Sequence, residues 1–124
     1  MKSLTVSQII QLHELLIKET GGAAGIRDSG LLDSAVAAPF QSFDGVSLYP
    51  TVEKKAARLA FGLICSHPFT DGNKRIGILA MLTLLELNGI YLRCTDPELV
   101  ALGLGIADHS IPADKITEWI LDRS

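Results

Sequence analysis

The stretch IGILAMLTLLEL, residues 76–87, constrains the fold most, because apolar side chains lie on nearly every side of the helix it would form. Its 12 residues are too few to cross a bilayer, which takes about 20. A helix that is apolar all round has to be covered by other elements. The stretch therefore predicts the central helix of a bundle, beginning at Asn73, a favoured N-cap residue, and continuing to Asn88 before Gly89 ends it.

Five further helices are predicted from the spacing of apolar residues and from stop signals along the chain. They run from about Val6 to the TGG at 20–22, from Asp28 or Ser29 to Pro39, from Thr51 to His67, from Asp96-Pro97 to about residue 107, and around 116–120. Pro68 ends the third of these at His67, because proline disfavours helical geometry in the residue before it. Asp96 is interpreted as a cap, with Pro97 at the first helical position. The segment IYLRC, 90–94, predicts a short extended piece.

Residues 40–50, FQSFDGVSLYP, break the helical rhythm. The pair Asp44-Gly45, between Phe43 and Val46, favours a type I′ turn, which needs positive φ at both central residues. We therefore predict an exposed two-stranded flap over residues 42–48. The expected fold is mostly α: a compact helical bundle of about six helices with a short β-hairpin, in one domain over residues 1–124.

Composition narrows the classes of function. The net charge of −3 argues against a general nucleic-acid binder, so no direct nucleic-acid contact is expected. The start MKSLTVSQII lacks the continuous apolar run of a signal peptide, and no membrane association is expected. Cys65 and Cys94 have no metal-site or redox spacing, and two free thiols are typical of a reducing cytosol. We expect a cytoplasmic protein.

The nine residues HPFTDGNKR, 67–75, lie immediately before the predicted central helix and begin it. The first N–H groups of a helix have no intrahelical partners, and the helix dipole adds partial positive charge there. Lys74 and Arg75 add two cations where a purely structural helix would carry acids. Gly72 permits a tight turn that leaves the amides uncovered. This arrangement indicates an anion site that suits a phosphate group.

Asp71 would compete with a phosphate unless a cation lay between them. Mg²⁺ is typically held by one or two carboxylates together with substrate phosphate oxygens. His67 lies across a short loop from the anion site, and an imidazole suits a general base that removes a proton from an attacking hydroxyl. The residues together indicate nucleotide-dependent group transfer.

The stretch also resembles the signature H-P-F-x-D-G-N-G-R-x-x-R of the Fic/Doc family. Two specified positions differ: Lys74 stands where the signature has Gly, and Ile78 stands where it has the final Arg. Both departures are similar to the death-on-curing (Doc) branch, toxins of toxin–antitoxin modules. The resemblance extends through LHELL, GG and IRDSGLLDSA to the closing helices. Seven of nine specified positions agree: His67, Pro68, Phe69, Asp71, Gly72, Asn73 and Arg75.

The resemblance implies a protein-modifying transferase with ATP as substrate and Mg²⁺ as cofactor. Typical Fic enzymes transfer AMP to a protein hydroxyl, whereas Doc-type proteins transfer the terminal phosphoryl group to a threonine of elongation factor Tu and arrest translation. A side chain at position 74 would crowd a diphosphate, which favours a reversed nucleotide and hence the kinase. The implied roles are His67 as general base, Asp71 as Mg²⁺ ligand, Gly72, Asn73, Lys74 and Arg75 as phosphate-binding residues, and Pro68 and Phe69 as structural residues.

Two other functions stay open: an AMP or other nucleotidyl transferase, and an inactive binding module with this fold. The resemblance implies that the 42–48 hairpin is the flap that aligns a target segment by strand-like pairing. Many Fic enzymes carry a self-inhibitory S/T-x-x-x-E-G/N helix, but no Glu here precedes Gly or Asn. Inhibition by a Phd-like antitoxin segment, which folds onto the toxin, is therefore implied.

Other polar residues receive structural interpretations. We interpret His13 as a packed, hydrogen-bonded core residue and His109 as surface. Arg27-Asp28 is interpreted as an ion pair at a helix start. Glu53, Lys54 and Lys55 are assigned to a solvated face, and Trp119 to the edge of the core.

Overall fold

The computed structural model describes all residues, 1–124, as six α-helices and one small hairpin, which confirms the predicted fold class. A 3-10 turn over Ala38–Phe40 leads into the hairpin. The helices are α1 (Val6–Thr20), α2 (Ser29–Ala37), α3 (Val52–Ser66), α4 (Asn73–Leu87), α5 (Asp96–Ala107) and α6 (Ala113–Arg123), and the strands are β1 (Ser42–Phe43) and β2 (Val46–Ser47).

The central helix is α3, and the prediction that α4 would be central is wrong. α3 packs against α2, α4, α5, α6 and the 3-10 turn, whereas α4 packs against α1, α3 and α5. Gly77 permits the close approach of α3 and α4, since a Cβ there would overlap the Ile64 side chain. The extra apolar side of α4, with Ile78, Leu79 and Leu82, is only partly buried. This side forms one wall of a groove between α1, α4 and α5.

Two predicted helix caps are wrong by one residue. Gly72, with φ 77°, is the N-cap of α4, and Asn73 is its first helical residue. Thr95, not Asp96, is the N-cap of α5, where it forms a reciprocal capping box with Glu98. The 90–94 segment joins no sheet; the Arg93 N–H donates to the Arg123 carbonyl at 2.7 Å.

The hairpin forms as predicted. Ser42 pairs with Ser47 and Phe43 with Val46 in antiparallel register. Asp44 and Gly45 have φ values of 54° and 77°, so both central residues of the turn have the positive φ that a type I′ turn requires. The side chains of Phe43 and Val46 are exposed.

Lys55 contradicts the prediction of a solvated face, because it is buried with 8% of its surface exposed. Its Nζ donates to Ser47 Oγ at 3.1 Å and to the Tyr49 carbonyl, and lies 5.6 Å from the Phe40 ring centre. These contacts join the start of α3 to the C-terminal side of the hairpin.

None of the six helices has the length and apolar character needed to span a membrane. Both cysteines are free.

Candidate active site

His67 lies at the end of the central helix. α3 ends at Ser66, and His67 adopts a left-handed conformation with φ 52° and ψ 56°, consistent with the effect of Pro68. The side chain is exposed, and Nδ1 lies 3.3 Å from the Cys65 carbonyl. With the proton on Nδ1 donated to that carbonyl, Nε2 has a free lone pair.

Arg27 fixes the backbone that carries His67. Its Nε donates to the His67 carbonyl at 2.6 Å, and Nη2 donates to the Ser66 carbonyl at 2.8 Å. These carbonyls belong to the C-terminus of α3, where a cation is favourable. The predicted ion pair with Asp28 is wrong: Asp28 caps α2 by accepting from the Leu31 N–H at 3.0 Å.

The loop 67–72 is held by the main chain of residues 21–28. The Arg27 and Asp28 N–H groups donate to the Pro68 carbonyl at 2.8 and 3.0 Å, and the Thr70 N–H donates to the Gly25 carbonyl at 3.1 Å. Ile26 and Phe69 form an isolated antiparallel bridge. Residues distant in sequence thus position this loop by backbone hydrogen bonds.

Phe69 and His13 join the loop to the core. Phe69 is buried, and its ring stacks on the His13 imidazole with 3.8 Å between ring centres. His13 Nε2 lies 2.8 Å from the Asp71 carbonyl oxygen. The interpretation of His13 as a buried, hydrogen-bonded residue is confirmed, and its hydrogen bond is to the loop itself.

The Asn73 side chain is also occupied within the loop. Its Oδ1 accepts from the Phe69 N–H at 3.0 Å, and its Nδ2 donates to the Phe69 carbonyl at 3.0 Å. Both polar atoms of this buried amide are therefore engaged, and the backbone N–H is the part of Asn73 that is available to an anion.

The N-terminus of α4 has no side-chain cap. The first hydrogen bond across this end runs from the Ile76 N–H to the Gly72 carbonyl at 2.9 Å. The N–H groups of Asn73, Lys74 and Arg75 therefore have no partner within the helix. Together with the helix dipole they make a site that favours an anion.

Asp71 stays ionised beside this helix terminus. Hydrogen bonds from the Ala23 N–H at 3.2 Å and the Gly72 N–H at 2.8 Å hold the pKa of Asp71 below its ordinary value of 3.8, and the charge of Arg75 contributes. The Asp71 side chain is 49% exposed. Gly22 makes room for it, because a Cβ at that position would lie 2.5 Å from Asp71 Oδ2.

The two predicted cations differ in their contacts. Arg75 donates to Thr20 Oγ1 and to the Gly21 carbonyl at 3.0 Å, and lies 3.7 Å from Asp71 Oδ1. Lys74 is exposed and forms none of the ion pairs of the protein. Arg75 therefore joins α4 to the end of α1, and Lys74 is the cation at the site that forms no ion pair.

The predicted residues lie around one polar cleft of about 220 Å³. No group of three or more His, Cys, Asp or Glu side chains is placed to hold a metal by itself. A divalent cation here would share Asp71 with oxygens of a bound anion, a donor set that fits Mg²⁺. The cleft is lined by His67, Thr70, Asp71, Gly72, Asn73, Lys74 and Arg75.

Sequence reasoning missed three residues that shape the cleft: Gly22, Arg27 and Thr70. The GG pair at 21–22 is a visible signal, but as a helix stop and as part of the family resemblance it does not predict the contact of Gly22 with Asp71. Arg27 had no local signal, because its partners lie 39 and 40 residues away.

The fold and the site define a small helical bundle in which an uncapped helix N-terminus, which favours an anion, lies beside an exposed histidine. The sequence profile of the Fic/DOC family matches residues 3–85, and the chain belongs to that family. The resemblance drawn from HPFTDGNKR is thus confirmed.

Two curated relatives are similar to this chain. "Toxin Doc" of Mycolicibacterium smegmatis is 46% identical over 72 residues, which cover 58% of this chain and 55% of that protein. The "Protein kinase doc" of Escherichia phage P1 is 25% identical over 120 residues, which cover 97% of this chain and 94% of that protein. The alignment thus spans about half of the first relative and nearly all of the second.

Proposed function

We propose that this protein is a Doc-type toxin that transfers the terminal phosphoryl group of ATP to a hydroxyl group of a target protein. The observation that carries the proposal is the exposed His67 beside the uncapped N-terminus of α4 in one polar cleft. The name "Protein kinase doc" of a relative that aligns over 97% of this chain supports it. The proposed target is a threonine of elongation factor Tu in the cytoplasm, and its modification would block translation.

The chemical step assigns a role to each part of the cleft. His67 Nε2 accepts the proton of the attacking hydroxyl. That oxygen forms a bond to the γ-phosphorus, while the bond from the γ-phosphorus to the β–γ bridging oxygen breaks and ADP leaves. The free N–H groups of Asn73, Lys74 and Arg75 bind phosphate oxygens, and the Lys74 side chain adds a positive charge. Positioning and charge neutralisation are most of what phosphoryl transfer requires.

Asp71 is the residue that would hold Mg²⁺. Its pKa lies below 3.8, so the carboxylate is ionised at neutral pH, and about half of its side chain is accessible. The ion would neutralise phosphate charge when bound. Asn73, one of the predicted phosphate-binding residues, would contribute its backbone N–H, because its side-chain amide is bound to the Phe69 backbone.

Lys74 supports phosphoryl over nucleotidyl transfer. It occupies the position where the AMP-transferring signature has Gly, and its side chain is exposed at the helix N-terminus. A side chain there narrows the space in which a diphosphate would lie along the backbone. The nucleotide orientation that presents its γ-phosphate to the acceptor then fits better.

The test is to incubate the protein with elongation factor Tu and ATP labelled at either the α- or the γ-phosphate. We expect label to reach the acceptor only from the γ position. Transfer of the α label alone would establish the AMP transferase instead. No transfer of either label, with ATP bound, would contradict this target.

The inactive-module alternative is tested by growth. Expression of the wild type should arrest growth, and His67→Ala should abolish arrest, because loss of a general base lowers the rate by about 10²–10⁴-fold. The matched control is His109→Ala, which removes an exposed histidine outside the cleft. Equal growth with wild type and His67→Ala would contradict an enzymatic role.

We also propose that an antitoxin segment binds the apolar groove between α1, α4 and α5. This groove of about 480 Å³ adjoins the cleft, because Lys74 and Arg75 line both. An amphipathic helix with acidic residues near one end would fit its apolar walls and cationic end. The walls include Leu16, Ile78, Leu79, Leu82, Val100 and Leu104.

Leu104→Glu tests this partner, because Leu104 is 53% exposed in the groove and its replacement need not disturb the core. The variant should still arrest growth but should no longer be neutralised by its antitoxin. The matched control is Leu121→Glu, an equally exposed leucine on α6. Neutralisation that is unchanged in Leu104→Glu would place the partner elsewhere.

A further inference from the structure

Arg58, in the middle of α3, has a guanidinium nitrogen without an acceptor. Its Nε donates to the Tyr49 hydroxyl at 3.2 Å, and its guanidinium lies 5.5 Å from the Phe61 ring centre. Nη1 is buried and has no hydrogen-bond partner. Arg58 also takes part in none of the three ion pairs of the protein. A buried donor without an acceptor is unfavourable and rare, so it calls for a ligand or another explanation.

Arg58 lines a groove between α2 and α3, the α2–α3 groove, with a volume of about 260 Å³. A Cβ at Gly62 would lie 3.0 Å from Arg58 Nη1 and 3.2 Å from Ala35 Cβ, so the guanidinium lies where the two helices meet. Leu31 and Ser34 form part of the α2 wall. The groove therefore combines an unsatisfied cation with a mixed apolar and hydroxyl lining.

The groove leads toward the polar cleft. On the α3 side its lining residues follow one helix face and end one residue before His67. Arg58 precedes His67 by nine residues. At a rise of about 1.5 Å per residue, that is about 13 Å along the helix axis. An extended peptide covers this distance in about four residues. The α3 lining residues are Arg58, Phe61, Gly62, Cys65 and Ser66.

We infer that the α2–α3 groove binds an acidic side chain of the acceptor protein, about four residues from the hydroxyl that is modified. The inference rests on the proposed function, since it assigns a specificity site for that acceptor. Arginine recognises carboxylates through charge-assisted hydrogen bonds, and these are strong where water is partly excluded. The hydroxyl of Ser34 on the opposite wall offers a further donor.

Carboxylates of this protein do not already satisfy Arg58. Asp114 and Glu118 of α6 line a separate cavity that Arg58 also borders, together with Tyr49 and Lys54. Neither acid lies within ion-pair distance of Arg58; Glu118 pairs with Lys115 at 3.1 Å. An incoming carboxylate in the α2–α3 groove would therefore meet an unpaired cation.

The experiment measures peptide binding without nucleotide. Fluorescent peptides contain one threonine and carry either Asp or Asn four residues before it or after it. We expect one Asp peptide to bind about tenfold more tightly than its Asn counterpart, the size of a charge-assisted hydrogen bond. Arg58→Gln should remove this difference.

Two control variants separate charge from structure. Tyr49→Phe removes the hydrogen bond to Arg58 Nε but keeps the charge, and Lys54→Gln removes an exposed cation one turn earlier on α3. Both should retain the preference for Asp. Circular dichroism melts establish that each variant is folded.

Equal binding of Asp and Asn peptides, or no detectable binding of any peptide, would overturn the inference. So would loss of the preference in Tyr49→Phe, which would indicate that Arg58 acts only by holding the hairpin. Because this readout needs no ATP, it does not depend on which nucleotide phosphate is transferred. Failure of the label-transfer test is thus distinguishable from failure of this one.

Discussion

Gly21 and Gly22 follow α1 as a pair but have different surroundings. Both have positive φ, 86° and 111°, so a side chain at either position strains the backbone. A Cβ at Gly21 would meet nothing within 4 Å, whereas a Cβ at Gly22 would collide with the Asp71 carboxylate. The pair therefore offers one strained position beside the cleft and a matched one outside it.

Gly22→Ala should displace Asp71 from the Ala23 N–H, whose hydrogen bond is the largest cause of its low pKa. The pKa of Asp71 should then rise toward 3.8, and affinity for Mg²⁺-ATP should fall. NMR titration of the carboxyl group and calorimetry measure the two effects. Gly21→Ala should cost about 1–3 kcal/mol in backbone strain but should leave the pKa of Asp71 and the affinity for Mg²⁺-ATP unchanged. Equal losses of nucleotide affinity in the two variants would contradict the role of Gly22.

Arg27→Gln should lower kcat about tenfold or more while leaving the KM for ATP unchanged. The two carbonyls that Arg27 binds set the position of His67, and small displacements of a catalytic group are costly. Steady-state kinetics with the protein acceptor measure this split. Arg93→Gln, at an exposed arginine far along the chain, is the control. A change confined to KM would indicate that Arg27 affects binding instead.

The individual cleft residues were predictable because they are contiguous. His67, Asp71 and Lys74 lie within nine residues, so the sequence alone predicts that they share one site. The residues that orient them were not predictable: Ala23 binds Asp71 across 48 positions, and His13 binds its carbonyl across 58. Hydrogen bonds between residues so far apart in the chain leave no pattern in one sequence.

Among the elements, the hairpin depends on α3. Lys55 binds Ser47 and the Tyr49 carbonyl, and Arg58 binds the Tyr49 hydroxyl. A hairpin of two-residue strands has little stability of its own. Two cations from one face of α3 therefore hold the C-terminal side of the flap.

Lys55→Met keeps much of the side-chain volume but removes the donor. It should destabilise the protein by about 1–3 kcal/mol, because the Tyr49 carbonyl loses its partner. Hydrogen exchange should accelerate over residues 42–49 more than in α4. Lys54→Met, at the exposed neighbouring lysine, should have little effect. Unchanged exchange in the hairpin of Lys55→Met would show that the flap is held by other contacts.

The presence of each helix and of the hairpin was predictable from sequence, but the ends of the helices and their degree of burial were not. Apolar spacing gave all six helices, and Asp44-Gly45 gave the hairpin. Thr95, rather than Asp96, is the N-cap of α5 because its hydroxyl accepts a hydrogen bond from the Glu98 N–H. Apolar character around α4 predicted full burial, yet part of it lines an open groove. Periodicity records where apolar residues lie but not whether this chain itself covers them.

At the scale of the whole molecule, the C-terminal helix is joined to α5 by a charged pair. Arg123 Nε donates to Glu98 Oε2 at 2.8 Å, and its guanidinium lies 4.1 Å from the Trp119 ring centre. The hydrogen bond from Arg123 and that from Thr95 lower the pKa of Glu98 from 4.5. Because the folded pKa is the lower one, this contribution is present above pH 4.5 and is lost as pH falls through the folded pKa.

The free energy of unfolding should therefore decline as pH is lowered from about 6 to about 3. Glu98→Gln should be less stable than wild type at pH 6, and the difference should shrink toward pH 3. Urea unfolding at each pH measures this. Glu118→Gln, in an exposed pair with Lys115, is the control and should show a smaller difference at pH 6. A difference in the free energy of unfolding between wild type and Glu98→Gln that does not change with pH would contradict a pH-dependent contribution from Glu98.

The segment 21–28 supports the loop 67–72 mainly through peptide groups: the N–H of residues 23, 27 and 28 and the carbonyl of residue 25. Such a scaffold is largely indifferent to side-chain identity at Ala23, Ala24 and Ile26. It is intolerant of a change in length, since one inserted or deleted residue would shift every donor and acceptor out of register. Variants of this protein that keep their function should therefore differ in segment 21–28 by substitutions and never by insertions or deletions.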